Sequence, residues 1–234
     1  MAKMRRTSTI ALASAAALAL VLPAVAPATL AEVGVIGATT PVTAPSCPGG
    51  PATATAPETK CLAVSRTTGF QVKVGSERNL ESAPRAGTIV AWTISLGNPT
   101  ATQIKFFNEN EGGPSEAGIA ILAPQPKPNL TYKLVAQSPL VKLQPYFGKT
   151  AQFPLETTIP VKKGYVVALT VPSWAPALAL GFGNDTSWRA SRPKAGCKTT
   201  SAQTVQTGVG SAVQYYCLYQ TARLTYSATL ISTP

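Results

Sequence analysis

The sequence predicts an all-β fold, a single jelly-roll-like sandwich of about 10–12 short antiparallel strands. Three observations support this prediction. Apolar residues recur at every second position in several short runs, which is the period of a strand with one buried face. Turn residues separate these runs at roughly ten-residue spacing, and the 234 residues include 18 Gly and 21 Pro. Only 12% of the residues are charged, which is too few for the exposed faces of a helical bundle.

The chain divides into three segments by composition. Residues 1–31 are predicted to be a signal peptide, residues 32–60 an extended Pro-, Ala- and Thr-rich lead-in, and residues 61–234 the β-sandwich. Two runs in the sandwich, 119–122 and 165–171, are apolar throughout and suit central strands that are covered on both faces. The alternating residues predicted to face the core are Phe70, Val72, Val74; Val90, Trp92, Ile94, Leu96; Leu130, Tyr132, Leu134, Ala136; and Leu224, Tyr226, Ala228, Leu230. No apolar stripe of helical period is evident after Glu32.

The N-terminal residues have the pattern of a secretory signal peptide. Lys3, Arg5 and Arg6 precede an uncharged apolar run at residues 10–22. This run is about two-thirds of the roughly 20 residues that a membrane-spanning helix needs, which disfavours the alternative of an uncleaved anchor. We therefore predict a secreted, extracellular product with no transmembrane segment after cleavage.

Small residues beyond the apolar run provide cleavage sites for signal peptidase. A cut after Ala31 would leave Glu32 as the new N-terminus, and this is the favoured site. A cut after Ala26 is the alternative, but it would place Pro27 directly after the cut.

The exported part of the chain contains four cysteines, Cys47, Cys61, Cys197 and Cys217. An even number in an oxidising compartment indicates two disulfides, for which three connectivities can be drawn. We prefer Cys47–Cys61 with Cys197–Cys217, because each pair flanks a loop-like segment. A metal site is disfavoured because the sequence contains no C-x-x-C pair and no histidine.

Residues 159–169 read IPVKKGYVVAL. This run resembles the segment that leads into a core strand in many extracellular jelly rolls, such as the C1q/TNF-like and carbohydrate-binding modules. Gly164 matches the turn glycine of that segment, whereas Tyr165 stands where those families often have Asp. The exported region as a whole is similar to exported β-sandwich proteins of high-GC actinobacteria. These resemblances imply secretion and a sandwich, and they imply no particular activity or ligand.

Composition excludes several kinds of catalysis. The absence of histidine excludes Ser-His-Asp and Cys-His nucleophile systems and histidine acid–base chemistry. Phosphate-binding loops and dinucleotide fingerprints are absent, so no cofactor is predicted. Glu109, Glu111 and Glu116 lie close together in the sequence and could supply the carboxylates of a glycan hydrolase or ligands for calcium. The alternative, which we favour, is a solvated glycine-hinged loop between strands.

The formal net charge is +11, and removal of Lys3, Arg5 and Arg6 with the signal peptide leaves +8. A small protein of this charge adheres weakly to anionic polymers. The cations are scattered along the chain, and Lys162-Lys163 is the only basic pair after the signal segment. Nucleic-acid binding is therefore not predicted.

Loop aromatics are the remaining candidates for ligand recognition. Trp174 lies between two prolines, and Trp188 lies beside Arg189 and close to Arg192. Tryptophan with nearby hydrogen-bond donors is suited to stacking on a sugar face. Alternatively, both rings cap the open end of the core. Trp188 and Arg189 would point to opposite faces of a regular strand, so they share a site only if the segment bends.

These features favour a secreted, non-catalytic binding or surface module, with a glycan or an anionic cell-envelope polymer as its partner. A carboxylate-dependent glycan hydrolase and a purely structural envelope protein are the alternatives. Glu109 and Glu116 facing each other across a cleft would favour the hydrolase. An exposed platform of Trp174 and Trp188 would favour binding, and a smooth surface without either feature would favour the structural role.

Overall fold

The computed structural model describes residues 28–34, 44–47, 61–199 and 202–232. Most of the predicted signal peptide and lead-in therefore lies outside the described residues. The strands are β1 (Leu30–Val33), β2 (Val64–Val74), β3 (Glu77–Arg78), β4 (Gly87–Ser95), β5 (Glu116–Pro124), β6 (Thr131–Gln137), β7 (Val141–Lys142), β8 (Thr150–Val161), β9 (Val166–Ala175), β10 (Leu178–Leu180), β11 (Ser187–Ala190), β12 (Ala212–Gln214), β13 (Cys217–Gln220), β14 (Ala222–Leu224) and β15 (Tyr226–Ser232). One α-helix, α1 (Ala101–Asn110), lies between β4 and β5. None of the helices in these described ranges is long and apolar enough to cross a membrane.

The principal strands form an antiparallel sandwich with jelly-roll topology. One sheet has the order β1-β15-β4-β8, and the other contains the run β6-β5-β9-β2. If these eight strands are numbered in chain order, the two sheets read 1-8-3-6 and 5-4-7-2, which is the order of a jelly roll built from two Greek keys. The predicted all-β sandwich is confirmed, with more short strands than expected.

A long insertion between β9 and β15 extends the larger sheet at both edges. Strands β11 and β13 continue the sheet beyond β2, whereas β12 pairs with β6 at the opposite edge. The chain between them crosses the outer face of the sheet, where Thr204 N donates to Arg66 O at 2.9 Å and Gln206 N donates to Thr68 Oγ1 at 3.0 Å. Strands β10 and β14 pair separately as a two-stranded ribbon.

The two runs predicted to be central strands form the centre of the larger sheet. The side chains at residues 119–122 in β5 are fully buried, and those at 166–171 in β9 are at most 9% exposed. These two strands are neighbours in the sheet. One face of each packs on the sandwich core, and the other face packs on a second apolar cluster that includes Phe70 and Tyr215. The turn before β9 contains Gly164 with a φ of +83°, a conformation that glycine adopts without strain. The prediction of central, doubly covered strands is confirmed.

The alternating runs are less regular than predicted. In β15 the residues Ala228 and Leu230 are buried as expected, but Ser227 and Thr229 on the other face are also less than 10% exposed. The register of β4 shifts between Ile89 and Ala91, and Ile89, rather than Val90, is buried in the core. A bulge changes which face successive side chains occupy, so simple alternation fails there.

The helix α1 was not predicted. It contains one buried residue, Phe107, and a helix with so little apolar surface leaves no stripe of helical period in the sequence. Its N-terminus is a capping box, in which Thr100 Oγ1 accepts a hydrogen bond from Gln103 N and Gln103 Oε1 accepts one from Thr100 N. The T-x-x-Q spacing after Pro99 is the sequence signal that identifies this helix start.

Both preferred disulfides are present. The Cα atoms are 4.5 Å apart in Cys47–Cys61 and 5.1 Å apart in Cys197–Cys217, within the usual range. The first disulfide joins the lead-in to the start of the sandwich. A backbone hydrogen bond adds to this connection, because Cys47 O accepts from Asn98 N at 2.8 Å. The second closes the segment of the insertion that crosses the outer face.

Candidate ligand-binding groove

Trp174 is a structural anchor for α1. Its side chain is fully buried in β9, and its ring stacks on Phe107 with a centroid distance of 4.7 Å. Phe147 packs on it at 5.5 Å. The indole N–H donates to Asn108 Oδ1 at 2.9 Å and to Gly113 O at 3.0 Å. Neither face of the Trp174 ring is open to a ligand, because α1 covers it. Trp174 is therefore not part of an exposed binding platform.

Trp188 also faces the interior. The side chain is 7% exposed, and its ring lies 4.8 Å from that of Tyr219. It packs so closely on β2 that a Cβ atom at Gly69 would lie 2.9 Å from the ring. Its N–H finds no hydrogen-bond acceptor within the part of the chain that the structure describes. The ring therefore belongs to the core, and the two tryptophans do not form a shared surface.

Arg192 lies near Trp188, but its donors are engaged by the backbone. The two residues line an inner cavity of about 350 Å³ between the larger sheet and the β10–β14 ribbon. Arg192 Nη1 donates to Thr199 O at 3.0 Å, and Nη2 donates to Ser65 O at 3.3 Å. The structure thus brings together two of the four predicted site residues, in a cavity of mixed aliphatic, aromatic and polar lining where the Arg192 guanidinium holds chain segments together.

Arg189 points to the opposite face of β11, as regular alternation requires. Its Nη1 donates to Tyr215 O at 3.2 Å and to Tyr216 O at 2.8 Å. It makes no salt bridge with a described carboxylate. Arg189 is therefore separated from Trp188 and lines a different cavity, on the outer face of the larger sheet.

This second cavity, which we call the outer groove, has a volume of about 340 Å³, at the lower end of the roughly 300–1,000 Å³ typical of small-molecule sites. Its floor is aromatic and aliphatic. Phe70 and Tyr132 meet edge to face with ring centroids 5.1 Å apart, and Tyr215 packs beneath them at 5.4 and 5.2 Å. The Tyr215 hydroxyl donates to Gln206 Oε1 at 2.7 Å, so the insertion fixes this floor.

Polar groups surround the aromatic floor of the outer groove. Asn79 is exposed and has a φ of +56°, a conformation that Asn tolerates better than most residues. Ser82, Tyr132 and Arg189 are half-buried and line the same space. Burial raises the pKa of the Tyr132 phenol, although Arg189 opposes this shift. The groove therefore offers an amide, a hydroxyl, a neutral phenol and a guanidinium beside aromatic rings.

Glu81, which the sequence analysis did not single out, also lines the outer groove. The side chain is 2% exposed, and burial raises its pKa well above the usual 4.5 although Arg223 acts in the opposite direction. Among the described residues, neither its Oε2 atom nor Arg223 Nη1 has a hydrogen-bond partner. The Glu81 carboxyl group therefore keeps its proton to a higher pH than an exposed glutamate does. It lies near Tyr226, and burial raises the pKa of the Tyr226 phenol as well.

The acidic residues Glu109, Glu111 and Glu116 each lie beside a different cationic residue. Glu109 lies 4.0 Å from Lys105 on the exposed face of α1, and Glu111 lies 3.6 Å from Arg66. Glu116 begins β5 opposite Lys142. No group of three or more residues suited to holding a metal ion occurs in the described part of the chain.

The fold and the groove define the class of protein as an all-β jelly roll with an aromatic, polar-rimmed cavity on one sheet. No family model, curated protein or solved structure matches the chain.

Proposed function

We propose that this chain is an exported, non-catalytic binding module that recognises a glycan of the cell envelope in the outer groove. The observation that carries the proposal is the combination, in one cavity, of the aromatic pair Phe70 and Tyr132 with the polar side chains of Asn79, Ser82 and Arg189.

A sugar ring matches this lining chemically. It has apolar C–H faces that pack on aromatic rings and a rim of hydroxyls that both donate and accept hydrogen bonds. Tyr132 is half-buried, so part of its ring remains available, whereas Trp174 and Trp188 are enclosed. Asn79 and Ser82 supply both donors and acceptors. The outer groove therefore suits a sugar better than the inner cavity does, because there the Trp188 ring is buried and Arg192 already donates to backbone carbonyls.

Charge supports a preference for anionic glycans. The formal net charge of +11 falls to +8 when Lys3, Arg5 and Arg6 are removed with the signal peptide, and Arg189 is not neutralised by a described carboxylate. Excess positive charge raises the encounter rate with anionic polymers, and the effect falls with salt. Arg189 is the residue that would turn this general attraction into a local contact.

Export is supported by the N-terminal signal pattern and by the two disulfides, which persist in oxidising compartments. A non-catalytic role is supported by the composition of the groove. Its described lining contains one carboxyl group, that of Glu81, whereas glycoside hydrolysis by the common mechanisms uses two.

The test is retention on insoluble bacterial cell wall and on neutral polysaccharide, followed by titration with soluble fragments of each. Tyr132→Ala removes the ring and should weaken binding roughly 5- to 150-fold, by analogy with the loss of a stacking aromatic. Asn79→Gly removes the amide, and glycine accepts the positive φ at this position. This variant should also bind more weakly while keeping the wild-type circular dichroism spectrum and melting temperature.

Tyr216→Ala is the matched control, because Tyr216 is 38% exposed and lies outside the described lining of the groove. It should bind as the wild type does. Equal retention of all variants, removed alike by moderate salt, would mean that charge alone causes adhesion and would contradict the proposal. Binding by none of them would favour the structural role.

A further inference from the structure

The first strand of the fold lies at the predicted signal-peptide boundary. Strand β1 pairs antiparallel with β15, and its four register pairs begin with Leu30 opposite Ile231 and Ala31 opposite Leu230. It ends at Val33, which is 2% exposed in the core. The four-stranded sheet is therefore completed by residues on both sides of the bond that the sequence favours for cleavage.

Thr29 extends these contacts by one residue. Thr29 N donates to Ser232 Oγ at 3.1 Å, and Ser232 N donates to Thr29 O at 2.9 Å. The two side-chain hydroxyls are 2.7 Å apart. A cut after Ala31 would remove all three hydrogen bonds and two of the four register pairs, and would leave the end of β15 without its neighbour. A discarded signal segment has no reason to match β15 in this way.

The sequence contains another suitable site just before these contacts. Ala26 and Ala28 are separated by one residue, Pro27, and small residues at the third and first positions before the cut are the pattern that signal peptidase recognises. A cut after Ala26 would also keep β1, but it would break a bond to the proline nitrogen, whose ring restricts the backbone on both sides.

We infer that the precursor is cleaved between Ala28 and Thr29, so that the mature chain begins with the first residue that bonds to β15. Water adds across this peptide bond, leaving a carboxylate on Ala28 and an ammonium group on Thr29. The new ammonium retains N–H donors at the position from which Thr29 N donates to Ser232 Oγ. The inference rests on the export that is part of the proposed function.

The experiment is expression of the full chain in a bacterial host with a general secretory pathway, followed by intact-mass measurement and N-terminal sequencing of the exported protein. The expected N-terminus is Thr29. Exported protein that begins at Glu32 or Pro27 would overturn the inference while leaving export and glycan binding intact. A full-length chain retained in the membrane would overturn both the inference and export.

Two variants give an independent test. Ala28→Gln places a large residue directly before the inferred bond and should block cleavage or move it, whereas Ala31→Gln should leave the N-terminus of the product unchanged. The opposite pattern would overturn the inference. Purified chains beginning at Thr29 and at Glu32 should also differ, because the shorter one lacks half of β1 and should melt at a lower temperature. Equal melting temperatures would contradict the structural reason given for the site.

Discussion

Replacement of Glu81 by glutamine is predicted to stabilise the protein increasingly as the pH rises. Burial raises the pKa of Glu81 in the folded protein well above 4.5, against the attraction of Arg223. The unfolded chain therefore loses this proton at a lower pH than the folded chain does. Above about pH 4.5 the folded state binds more protons than the unfolded state, so the stability of the wild type falls until the folded carboxyl group also ionises.

The size of the effect follows from the number of protons involved. A difference of one bound proton lowers the free energy of unfolding by about 1.4 kcal/mol per pH unit. The glutamine side chain in Glu81→Gln keeps the shape of the neutral carboxyl group and has no proton to lose, so the variant should escape this loss. For a chain of about 200 residues, each kcal/mol corresponds to roughly 2–4 °C in melting temperature.

The assay is thermal unfolding, monitored by circular dichroism at a series of pH values from about pH 4 to pH 8. Glu77→Gln is the control, because Glu77 is exposed on β3 and should show no widening difference from the wild type. A Glu81→Gln variant that is less stable than the wild type at neutral pH would refute the reasoning. That result would mean that an ionised Glu81 is held by Arg223 and that attraction, not burial, dominates.

Three further predictions concern stability. Trp174→Ala should destabilise the protein by about 3–5 kcal/mol through loss of a buried ring, and an unchanged urea midpoint would contradict its role as the anchor of α1. Gly69→Ala should cost about 1–3 kcal/mol because its methyl group would press on Trp188 and on neighbouring backbone; a melting temperature equal to that of the wild type would show that this contact relaxes freely. Replacing Cys197 and Cys217 by serine should cost about 3 kcal/mol but leave the β signal in far-UV circular dichroism, since a chain of this length buries a sizeable core. Loss of that signal would refute the last prediction.

The parts of the fold that could be predicted are those whose signal is local. The run at 119–122 is apolar throughout and the run at 165–171 is apolar apart from Thr170, because both faces of β5 and β9 are buried, and Gly164 marks the turn before β9. The cysteine spacing also identified both disulfides. In contrast, α1 contributes one buried side chain, so its apolar pattern was too weak and only its capping box marked it.

The candidate site could be predicted only in part because it is assembled from distant residues. Sequence proximity grouped Trp188 with Arg189, but alternation along β11 sends the first to the inner cavity and the second to the outer groove. Phe70, Tyr132 and Glu81 meet Arg189 only through the pairing order of the larger sheet. Nothing local in the sequence indicates that Glu81 is buried, because its neighbourhood contains exposed residues such as Arg78.

Glycan binding in the outer groove can be tested directly by titrating the isotope-labelled protein with soluble cell-wall glycan fragments and monitoring the chemical shifts of its backbone amides. The largest changes should map to the outer groove, at Phe70, Tyr132 and Arg189, and should saturate with ligand. Changes centred instead on Trp188 and Tyr219 in the inner cavity, or no saturable change in either place, would contradict the proposal.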